Sequence, residues 1–345
     1  MKAITQDIYG PAAVLESRDI ERPAIGDDQV LVRVRAAGVN PADWAIMSGL
    51  PYIARPAYGL RKPKAGVRGT DVAGTVEAVG AAVTRFQPGD EVFGSANGSY
   101  AEYAAASEDE LAPKPANLTF EEAAAVPMAA QVALQALRGV TSGQKVLING
   151  ASGGIGTFAV QIAKSLGAEV TAVVSSRNVD MVRSIGADHV VDYAREDFTR
   201  GEGRYDLILD NVSNHSLADL RRALTPAGIL VPNGGRFDNR WFASGGRLIR
   251  GMVMFRFVSQ TLRTFIMTTK LEALLALKEL IEAGAVKPVI DRTYPLSEAA
   301  MALAHVGEGH ARGKTVISMS APLTAARPSP VAAAIPATAP IAVAS

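Results

Sequence analysis

The stretch GASGGIGTFAVQIAKSLG, residues 150–167, decides the fold of this chain. It follows KVLIN, a short apolar run typical of a buried parallel strand, and its segment 151–156 reads G-x-G-x-x-G with Ala151 in the first position. The second glycine of such a turn, Gly153, lets the backbone approach a pyrophosphate, whereas the third, Gly156, lets the helix pack closely on the strand. A glycine in the first position only eases the turn, so the strand, turn and helix together predict a dinucleotide-binding site.

The segments on either side of this stretch follow two different patterns. Before about residue 118, short apolar runs such as QVLVRVRAAG (29–38) are separated by turn signals, which predicts a mostly antiparallel β domain. After it, Thr119 and Glu122 form a capping-box pair ahead of an alanine-rich helix, and strands then alternate with helices. This alternation predicts βαβ units and a parallel sheet, so the expected fold class is α/β. The strands KPVIDRTYPL (287–296) and KTVISM (314–319) are expected to return to the first domain.

The strand after the glycine turn, EVTAVV at 169–174, indicates which dinucleotide is bound. A site for NAD places a carboxylate near the end of this strand, where it accepts hydrogen bonds from the ribose hydroxyls. Here the strand is followed by Ser175, Ser176 and Arg177, and hydroxyl and guanidinium groups suit a 2′-phosphate. We therefore expect NADPH, with a merely solvated arginine at a strand end as the alternative interpretation of Arg177.

The composition excludes several classes of protein. The 345-residue chain is 48% hydrophobic and 20% charged, so it has enough apolar residues for sizeable cores. Its net charge of +1 gives no general attraction to nucleic acid, and no apolar run is long enough for a membrane span. It contains no cysteine, which excludes disulfides, thiolate nucleophiles and cysteine-ligated zinc. The start MKAITQDIYG has neither a signal nor a transit pattern, so a cytoplasmic location is expected.

Taken together, these features resemble the medium-chain dehydrogenase/reductase superfamily, and within it the zinc-free quinone oxidoreductases related to zeta-crystallin. The resemblance covers residues 1 to about 320 and is carried best by AAGVNPADW, RGTDVAGTVEAVG, FQPGDEVFG, NGASGGIGTFAVQIAK and GHARGKTVI. It implies a GroES-like, mostly antiparallel β catalytic domain at 1–121, completed by 269–320, and a Rossmann domain with a doubly wound parallel sheet at 122–268. The Ala/Pro-rich tail at 321–345 is expected to be disordered.

The resemblance also implies a change at the metal site. Zinc alcohol dehydrogenases of this superfamily carry a Cys ligand in the segment matching AAGVNPADW and a His-Glu pair in the segment matching RGTDVAG. This chain has Asn40 and Thr70–Asp71 at those places, and neutral Asn and Thr are poor zinc ligands. Because alcohol oxidation needs a group that stabilises an alkoxide, we expect reduction instead, with hydride passing from NADPH to a quinone or an α,β-unsaturated carbonyl.

The same resemblance assigns roles to individual residues. Asn40 is expected beside the nicotinamide ribose and the reacting carbon, with a simple turn residue before Pro41 as the alternative. Tyr52 and Tyr58 lie in the loop that lines the substrate cleft, where either phenol donates to the substrate carbonyl or only packs. Asp43 and Asp71 are expected to orient that loop rather than act as bases. The residues expected to bind the cofactor are Asn40, Gly153, Gly154, Ile155, Ser175, Arg177, Tyr193, Asn211, Asn233 and Gly234.

Some alternatives stay open at this stage. The competing functions are an NAD(P)-dependent alcohol dehydrogenase and a non-catalytic NADPH-binding sensor protein. The segment 234–265 carries six arginines among apolar residues, with Asp238 its only acid. Such a segment suits either peripheral contact with an anionic membrane or a lid whose edge strand pairs in the family's homodimers, with solvated arginines.

Overall fold

The computed structural model describes residues 1–201, 203–234, 241, 245–265, 267, 269–309 and 311–319. Its strands are β1 (Lys2–Thr5), β2 (Glu16–Asp19), β3 (Gln29–Val39), β4 (Asp71–Val79), β5 (Glu91–Ser95), β6 (Tyr103–Ser107), β7 (Leu111–Pro113), β8 (Lys145–Asn149), β9 (Glu169–Val174), β10 (His189–Asp192), β11 (Tyr205–Asp210), β12 (Leu224–Pro232), β13 (Thr261–Leu262), β14 (Ile290–Pro295) and β15 (Lys314–Ser318). Its helices are α1 (Pro41–Ser48), α2 (Arg55–Tyr58), α3 (Phe120–Ala124), α4 (Pro127–Ala136), α5 (Gly154–Ser165), α6 (Val179–Ser184), α7 (Leu217–Ala223), α8 (Gly245–Phe255), α9 (Leu271–Glu282) and α10 (Ala299–Gly307). The tail at 321–345, for which disorder was expected, lies outside the described residues.

Among the described residues, the strands around the glycine turn build one parallel sheet. Its order is β10-β9-β8-β11-β12-β13, and the order reverses between β8 and β11. The central strand β8 is apolar, and Val146, Leu147 and Ile148 on it are fully buried. This is the order of a Rossmann sheet, in which ligands lie outside the carboxyl ends of the strands at the reversal point. The parallel sheet expected from the sequence is confirmed.

A second, mostly antiparallel sheet forms around β3. Its order is β14-β15-β3-β4-β5-β7, and β6 also pairs with β3. Val30, Val32 and Val34 of β3 are buried, whereas Arg33 and Arg35 are exposed, so the alternation in QVLVRVRAAG is real. The late strands β14 and β15 join this sheet, as expected. We propose that the domains divide at 121/122 and 268/269, because the strands on the two sides of each boundary belong to different sheets.

The helix that the alanine-rich segment predicts is divided in two. The expected capping box opens α3, since the Glu122 N–H donates to Thr119 Oγ1 at 3.2 Å and the Thr119 N–H donates to Glu122 Oε2 at 3.0 Å. Pro127 then begins a separate helix, α4, because proline lacks the N–H that a continuous helix needs there.

One large apolar cluster connects the two sheets. It includes Phe93 of β5, Ile148 of β8, Phe158 of α5 and Leu274 of α9. The segment before β15 also contacts the glycine turn directly, since the Gly313 N–H donates to the carbonyl oxygen of Ser152 at 2.8 Å. The turn is therefore held against the first domain, at the edge where a cofactor and a substrate would meet.

Candidate active site

The glycine turn lies between β8 and α5, and its glycines have different surroundings. Gly153 has an extended backbone at the N-cap of α5, and a methyl group added there would meet, among the described residues, only the carbonyl oxygen of Gly150 at 3.6 Å. A methyl group added to Gly156 would press into the backbone of Gly150 and Ala151, 2.6 Å from Ala151 Cα. Gly156 therefore permits the close packing of helix and turn that the motif requires, while Gly153 leaves open space in front of the helix.

The open side of this turn has the polar groups that a dinucleotide needs. α5 is twelve residues long, so unpaired N–H groups and the positive end of its dipole lie next to Gly153. Two buried atoms at this edge, Asn178 Oδ1 and Asn211 Nδ2, have no hydrogen-bond partner among the described residues. Buried polar atoms are normally paired. The residues present therefore fit a dinucleotide laid across the carboxyl ends of the strands.

The residues expected at the adenosine end lie at two neighbouring strand ends. Ser175 follows β9 and is half-buried, and Arg177, two residues on, is exposed. Tyr193 follows β10, is exposed, and its N–H donates to the carbonyl oxygen of Val174 at 3.1 Å. The pairing of β9 with β10 thus brings the three predicted residues to one corner of the sheet.

Sequence reasoning missed a carboxylate at this corner. Asp192, the last residue of β10, accepts a hydrogen bond from Ser176 Oγ at 2.5 Å and lies 3.5 Å from Arg195 Nε. The Ser176 hydrogen bond is the largest of the effects that hold the pKa of Asp192 below its ordinary value. The tip of β9 itself has no acid, but the neighbouring strand supplies one. The signal in the sequence was the aspartate of VVDY, at the end of its strand.

The residues expected at the nicotinamide end also converge. Asn233 Nδ2 donates to Asn211 Oδ1 at 2.8 Å, and Gly234 passes too close to the Asn211 carbonyl for any side chain. Beneath them lies Asp210, which is completely buried and accepts from Asn149 Nδ2 at 2.9 Å and from Arg247 Nη2 at 3.0 Å. Asp210 was not singled out from the sequence, although it ends the strand YDLILD.

Asn40 is the N-cap of α1 and only 2% of it is exposed. Its Nδ2 donates to Asp71 Oδ2 at 3.0 Å, and its Oδ1 accepts from Lys314 Nζ at 2.5 Å. Its backbone N–H donates to Asp43 Oδ2 at 2.9 Å. Asp71 and Lys314 therefore hold the side-chain amide in a single orientation, and Asp43 holds the backbone of the same residue.

Lys314 is the residue that sequence reasoning missed most clearly. It is 3% exposed, and its Nζ lies 3.3 Å from the Val39 carbonyl oxygen and 3.5 Å from Asp71 Oδ2, in addition to the contact with Asn40. Its aliphatic chain passes the glycine turn, since a methyl group added to Gly154 would lie 2.9 Å from Lys314 Cδ. Lys314 thus connects Asn40 to the cofactor end. The signal was a lysine at the start of KTVIS, a strand in which every other residue is uncharged.

Two buried carboxyl groups lie beside Asn40. Asp43 Oδ2 also accepts from Tyr100 Oη at 2.9 Å, and Asp43 Oδ1 accepts from Thr70 Oγ1 at 3.4 Å. Burial, assisted by the nearby charge of Asp71, raises the pKa of Asp43 to about 6. Burial raises the pKa of Asp71 as well, and Lys314 and Asn40 work against that rise.

A cleft of about 210 Å³ opens beside Asp43. Tyr58, Arg68 and Thr70 line it, and Tyr58 is 38% exposed. Tyr52 is not among the lining residues; its ring packs edge-on against Trp241, with ring centres 5.2 Å apart. The structure therefore brings Tyr58, but not Tyr52, together with the buried network around Asn40.

The described residues contain no group of three His, Cys, Asp or Glu side chains that could hold a metal ion. Asn40 and Asp71 stand at two of the positions where the zinc alcohol dehydrogenases carry metal ligands. The ammonium group of Lys314 lies next to both residues.

The segment 234–265 is described only in part, and α8 is its main element. Arg247 is not solvated as expected, because it pairs with buried Asp210 and also donates to the Ser213 carbonyl oxygen at 2.8 Å. The outer face of the segment is apolar and exposed, with Ile249, Val253 and Phe257, the last 82% exposed. Across the described part of the chain, no helix is long and apolar enough to span a bilayer.

Two family models match the chain. The model described as alcohol dehydrogenase GroES-like domain matches residues 26–116, and the model described as zinc-binding dehydrogenase matches residues 185–317. The first contains all of β3 to β7, and the second begins directly after α6 and ends within β15.

Individual relatives match over most of their length. The chain is 34% identical to the mitochondrial NAD(P)H oxidoreductase RTN4IP1 of Mus musculus, covering 92% of this chain and 89% of the relative. It is 31% identical to the chloroplastic NADPH-dependent alkenal/one oxidoreductase of Arabidopsis thaliana, covering 92% and 79%. The solved quinone oxidoreductase of Coxiella burnetii superposes with a TM-score of 0.80 at 31% identity, covering 92% of this chain and 99% of the other.

Proposed function

The chain belongs to the medium-chain dehydrogenase/reductase superfamily, in its quinone oxidoreductase branch, and from that premise we propose a specific activity. It is a zinc-independent, NADPH-dependent oxidoreductase that transfers hydride to a quinone or to an α,β-unsaturated carbonyl compound. The names of the relatives, a quinone oxidoreductase and an alkenal/one oxidoreductase, support this substrate class.

The observation that carries the proposal is the position of Lys314. Its Nζ holds the Asn40 amide while its aliphatic chain lies against Gly154 of the cofactor turn. Asn40 is expected beside the reacting carbon, and the glycine turn is expected to hold the pyrophosphate. The side chain of Lys314 contacts both. A dinucleotide bound at the turn would extend its nicotinamide toward Asn40 and the cleft.

Each part of the cofactor has candidate residues. Gly153, Gly154 and Ile155 at the start of α5 would hold the pyrophosphate, because the helix terminus offers unpaired N–H groups there. Ser175, Arg177 and Tyr193 would hold the 2′-phosphate, which is the basis for preferring NADPH over NADH. The remaining residues, Asn211, Asn233 and Gly234, together with Asn40, would position the nicotinamide.

The chemistry that follows needs little from the protein beyond position and a proton. The bound dinucleotide supplies a hydride, and the conjugated oxygen of the acceptor takes up the resulting negative charge. Tyr58, at the cleft, is the better placed of the two predicted phenols to form a hydrogen bond with that oxygen and stabilise its charge. Zinc independence rests on Asn40 and Thr70 at the ligand positions and on the absence of cysteine from the sequence.

The test is stopped-flow oxidation of NADPH, and separately of NADH, with a panel of quinones, enones and alcohols, combined with metal analysis. We expect NADPH oxidation with a quinone or an enone, no dependence on added chelator, and no oxidation of simple alcohols. Alcohol oxidation that requires bound zinc would establish the alcohol dehydrogenase alternative. Tight NADPH binding without turnover of any acceptor would establish the sensor alternative.

Two further properties belong to this proposal. We propose a homodimer, because β13 ends the parallel sheet and the apolar face of α8 lies beside it. Sedimentation equilibrium tests this, and a monomer at micromolar concentration contradicts it. The cytoplasmic location stays a prediction, since the relatives reported above are named mitochondrial and chloroplastic.

A further inference from the structure

Thr70 and Asp43 form a hydrogen-bonded pair at the substrate cleft. Thr70 is half-buried and Asp43 is 3% exposed, yet both line the cleft together with Tyr58. Thr70 Oγ1 donates to Asp43 Oδ1 at 3.4 Å. Asn40 and Tyr100 both donate to the other carboxyl oxygen, Oδ2, so Oδ1 is left for Thr70.

The surroundings of Asp43 in the folded protein favour its protonated form, compared with the same side chain in water. Burial and the charge of Asp71 raise its pKa to about 6, so part of the Asp43 population carries a proton close to neutral pH. The titratable or charged groups that face Asp43 from the neighbouring segments are Asp71, Lys314, Tyr100 and Arg68. The positive charge of Lys314 lowers the pKa of Asp43, but less than burial and Asp71 raise it. Lys314 is paired with Asp71.

We propose that Thr70 and protonated Asp43 form a two-step proton relay that delivers a proton to the oxygen of the reduced substrate. The inference rests on the proposed function, because it concerns the proton that must accompany the hydride. A hydroxyl can accept one hydrogen bond while donating another. When Asp43 is protonated, Oδ1–H therefore donates to Thr70 Oγ1, and the Thr70 hydrogen is free to point into the cleft.

The electron and proton balance of the step is simple. For an enone, the hydride brings two electrons and one hydrogen to the β-carbon, the C=C pair shifts between the α-carbon and the carbonyl carbon, and the carbonyl pair moves onto oxygen. That enolate oxygen takes the Thr70 proton, Thr70 takes the Asp43 proton, and water in the cleft reprotonates Asp43. The product is an enol that becomes the saturated ketone.

The other groups at the cleft are less suited to this step. Lys64 and Tyr58 are exposed and so compete with bulk water as donors. The guanidinium of Arg68 stays charged through the neutral range and cannot pass on a proton. Asp43 is 3% exposed at the edge of the cleft, is hydrogen-bonded there to the half-buried Thr70 hydroxyl, and changes its protonation state at about pH 6.

The test compares two variants over pH 5 to 8: Thr70→Val keeps the size of the native side chain but lacks its hydroxyl, whereas Thr70→Ser is smaller but keeps the hydroxyl. We expect kcat for an enone to fall about 100-fold in Thr70→Val and to stay within about threefold of the native value in Thr70→Ser. In the native protein and in Thr70→Ser, kcat should fall as pH rises past the pKa of Asp43, whereas in Thr70→Val it should not depend on pH. Tyr58→Phe is measured in parallel.

A second measurement does not depend on turnover. 4-Nitrophenolate, a stable mimic of the enolate, is titrated into the protein without nucleotide, and binding is followed by absorbance. We expect Thr70→Val to bind it at least fivefold more weakly than Thr70→Ser.

Several results would overturn the relay. Thr70→Val could have the native kcat or the same dependence of kcat on pH as the native protein. The pH dependence could instead be lost in Tyr58→Phe, or the two Thr70 variants could bind phenolate equally well. A native protein that reduces neither quinones nor enones would instead contradict the proposed function, and the phenolate titration would still decide whether Thr70 and Asp43 donate into the cleft.

Discussion

Gly153 and Gly156 lie three residues apart in one turn, yet a methyl group would have opposite effects at the two positions. At Gly153 the only close neighbour among the described residues is 3.6 Å away, so Gly153→Ala should leave the free energy of unfolding unchanged and weaken NADPH binding about tenfold or more. At Gly156 the methyl group meets backbone atoms that cannot move aside, so Gly156→Ala should destabilise the protein by about 2 kcal/mol or more. Urea unfolding and a fluorescence titration with NADPH separate the two effects, and equal loss of stability in both variants would contradict this division of roles.

Asp43 makes stability depend on pH in a direction unusual for a carboxyl group. Its pKa rises from an ordinary 3.8 to about 6 on folding, so the folded protein binds this proton more tightly than the unfolded chain. The contribution of Asp43 to the free energy of unfolding should therefore fall as pH rises from about 4 to about 6, by about 1.4 kcal/mol per pH unit and about 3 kcal/mol in total. Asp43→Asn keeps an oxygen for the Asn40 and Tyr100 donors, so it should remove this slope without unfolding the protein. Urea unfolding of both proteins at several pH values measures the difference, and a variant that retains the slope contradicts the assignment.

The individual residues differ in how far the sequence could indicate them. Asn40 and Gly153 belong to local motifs, and their neighbours in sequence are also their structural context. Lys314 lies 274 positions from Asn40 along the chain, and no local pattern reports a contact across that separation. Asp192 was missed for a similar reason, because it reaches Ser176 across a strand pair rather than along one strand. Side chains that meet through tertiary structure leave only a weak signal, such as a lysine at the start of a buried strand.

At the level of elements, short apolar runs separated by turns predicted the antiparallel sheet, and the alternation of strands and helices predicted the parallel one. Proline divided one predicted helix into two. Capping by Thr119 and Glu122 marks the start of α3 in sequence and structure alike. Pro127 breaks the helix after α3 because its ring removes an N–H donor. The apolar period alone did not reveal this break, since both helices bury alanine on the same core.

The sequence left two roles open for the segment that contains α8, contact with a membrane or contact with a second copy of the chain. Substitution of its exposed arginines distinguishes the two. Arg250 and Arg256 are exposed beside Ile249 and Phe257, whereas Arg247 is committed to Asp210 and is unsuitable for a surface test. If this face contacts anionic lipid, Arg250→Gln with Arg256→Gln should weaken partition onto vesicles containing phosphatidylserine about 30-fold, at about 1 kcal/mol for each arginine. The control is Arg195→Gln with Arg200→Gln, which removes two other highly exposed arginines. If both double variants bind the vesicles equally well, the membrane interpretation is wrong, and contact with a second copy of the chain remains for the apolar face.

At the level of the whole molecule, one buried ion pair lies in the antiparallel sheet, between β15 and β4, on the side that faces the glycine turn. Lys314 and Asp71 are both almost completely buried, so each depends on the other for charge compensation. Removing one member of a buried pair leaves an uncompensated charge, which costs about 3 to 5 kcal/mol. Lys314→Met should therefore lower the free energy of unfolding by about that amount and weaken NADPH binding, because Asn40 Oδ1 loses the ammonium group that donates to it.

The double variant Lys314→Met with Asp71→Asn shows whether Lys314 and Asp71 interact through their charges or only through packing. Neutralising Asp71 removes the uncompensated charge, so the double variant should be more stable than Lys314→Met alone, although each substitution by itself is destabilising. Lys287→Met is the matched control, since that lysine is largely exposed and 4.0 Å from Glu122, and its loss should cost less than about 1 kcal/mol. If the two single losses at Lys314 and Asp71 simply add, the two charges do not interact, and Asn40 is held by its separate hydrogen bonds to the two side chains rather than by an ion pair between them.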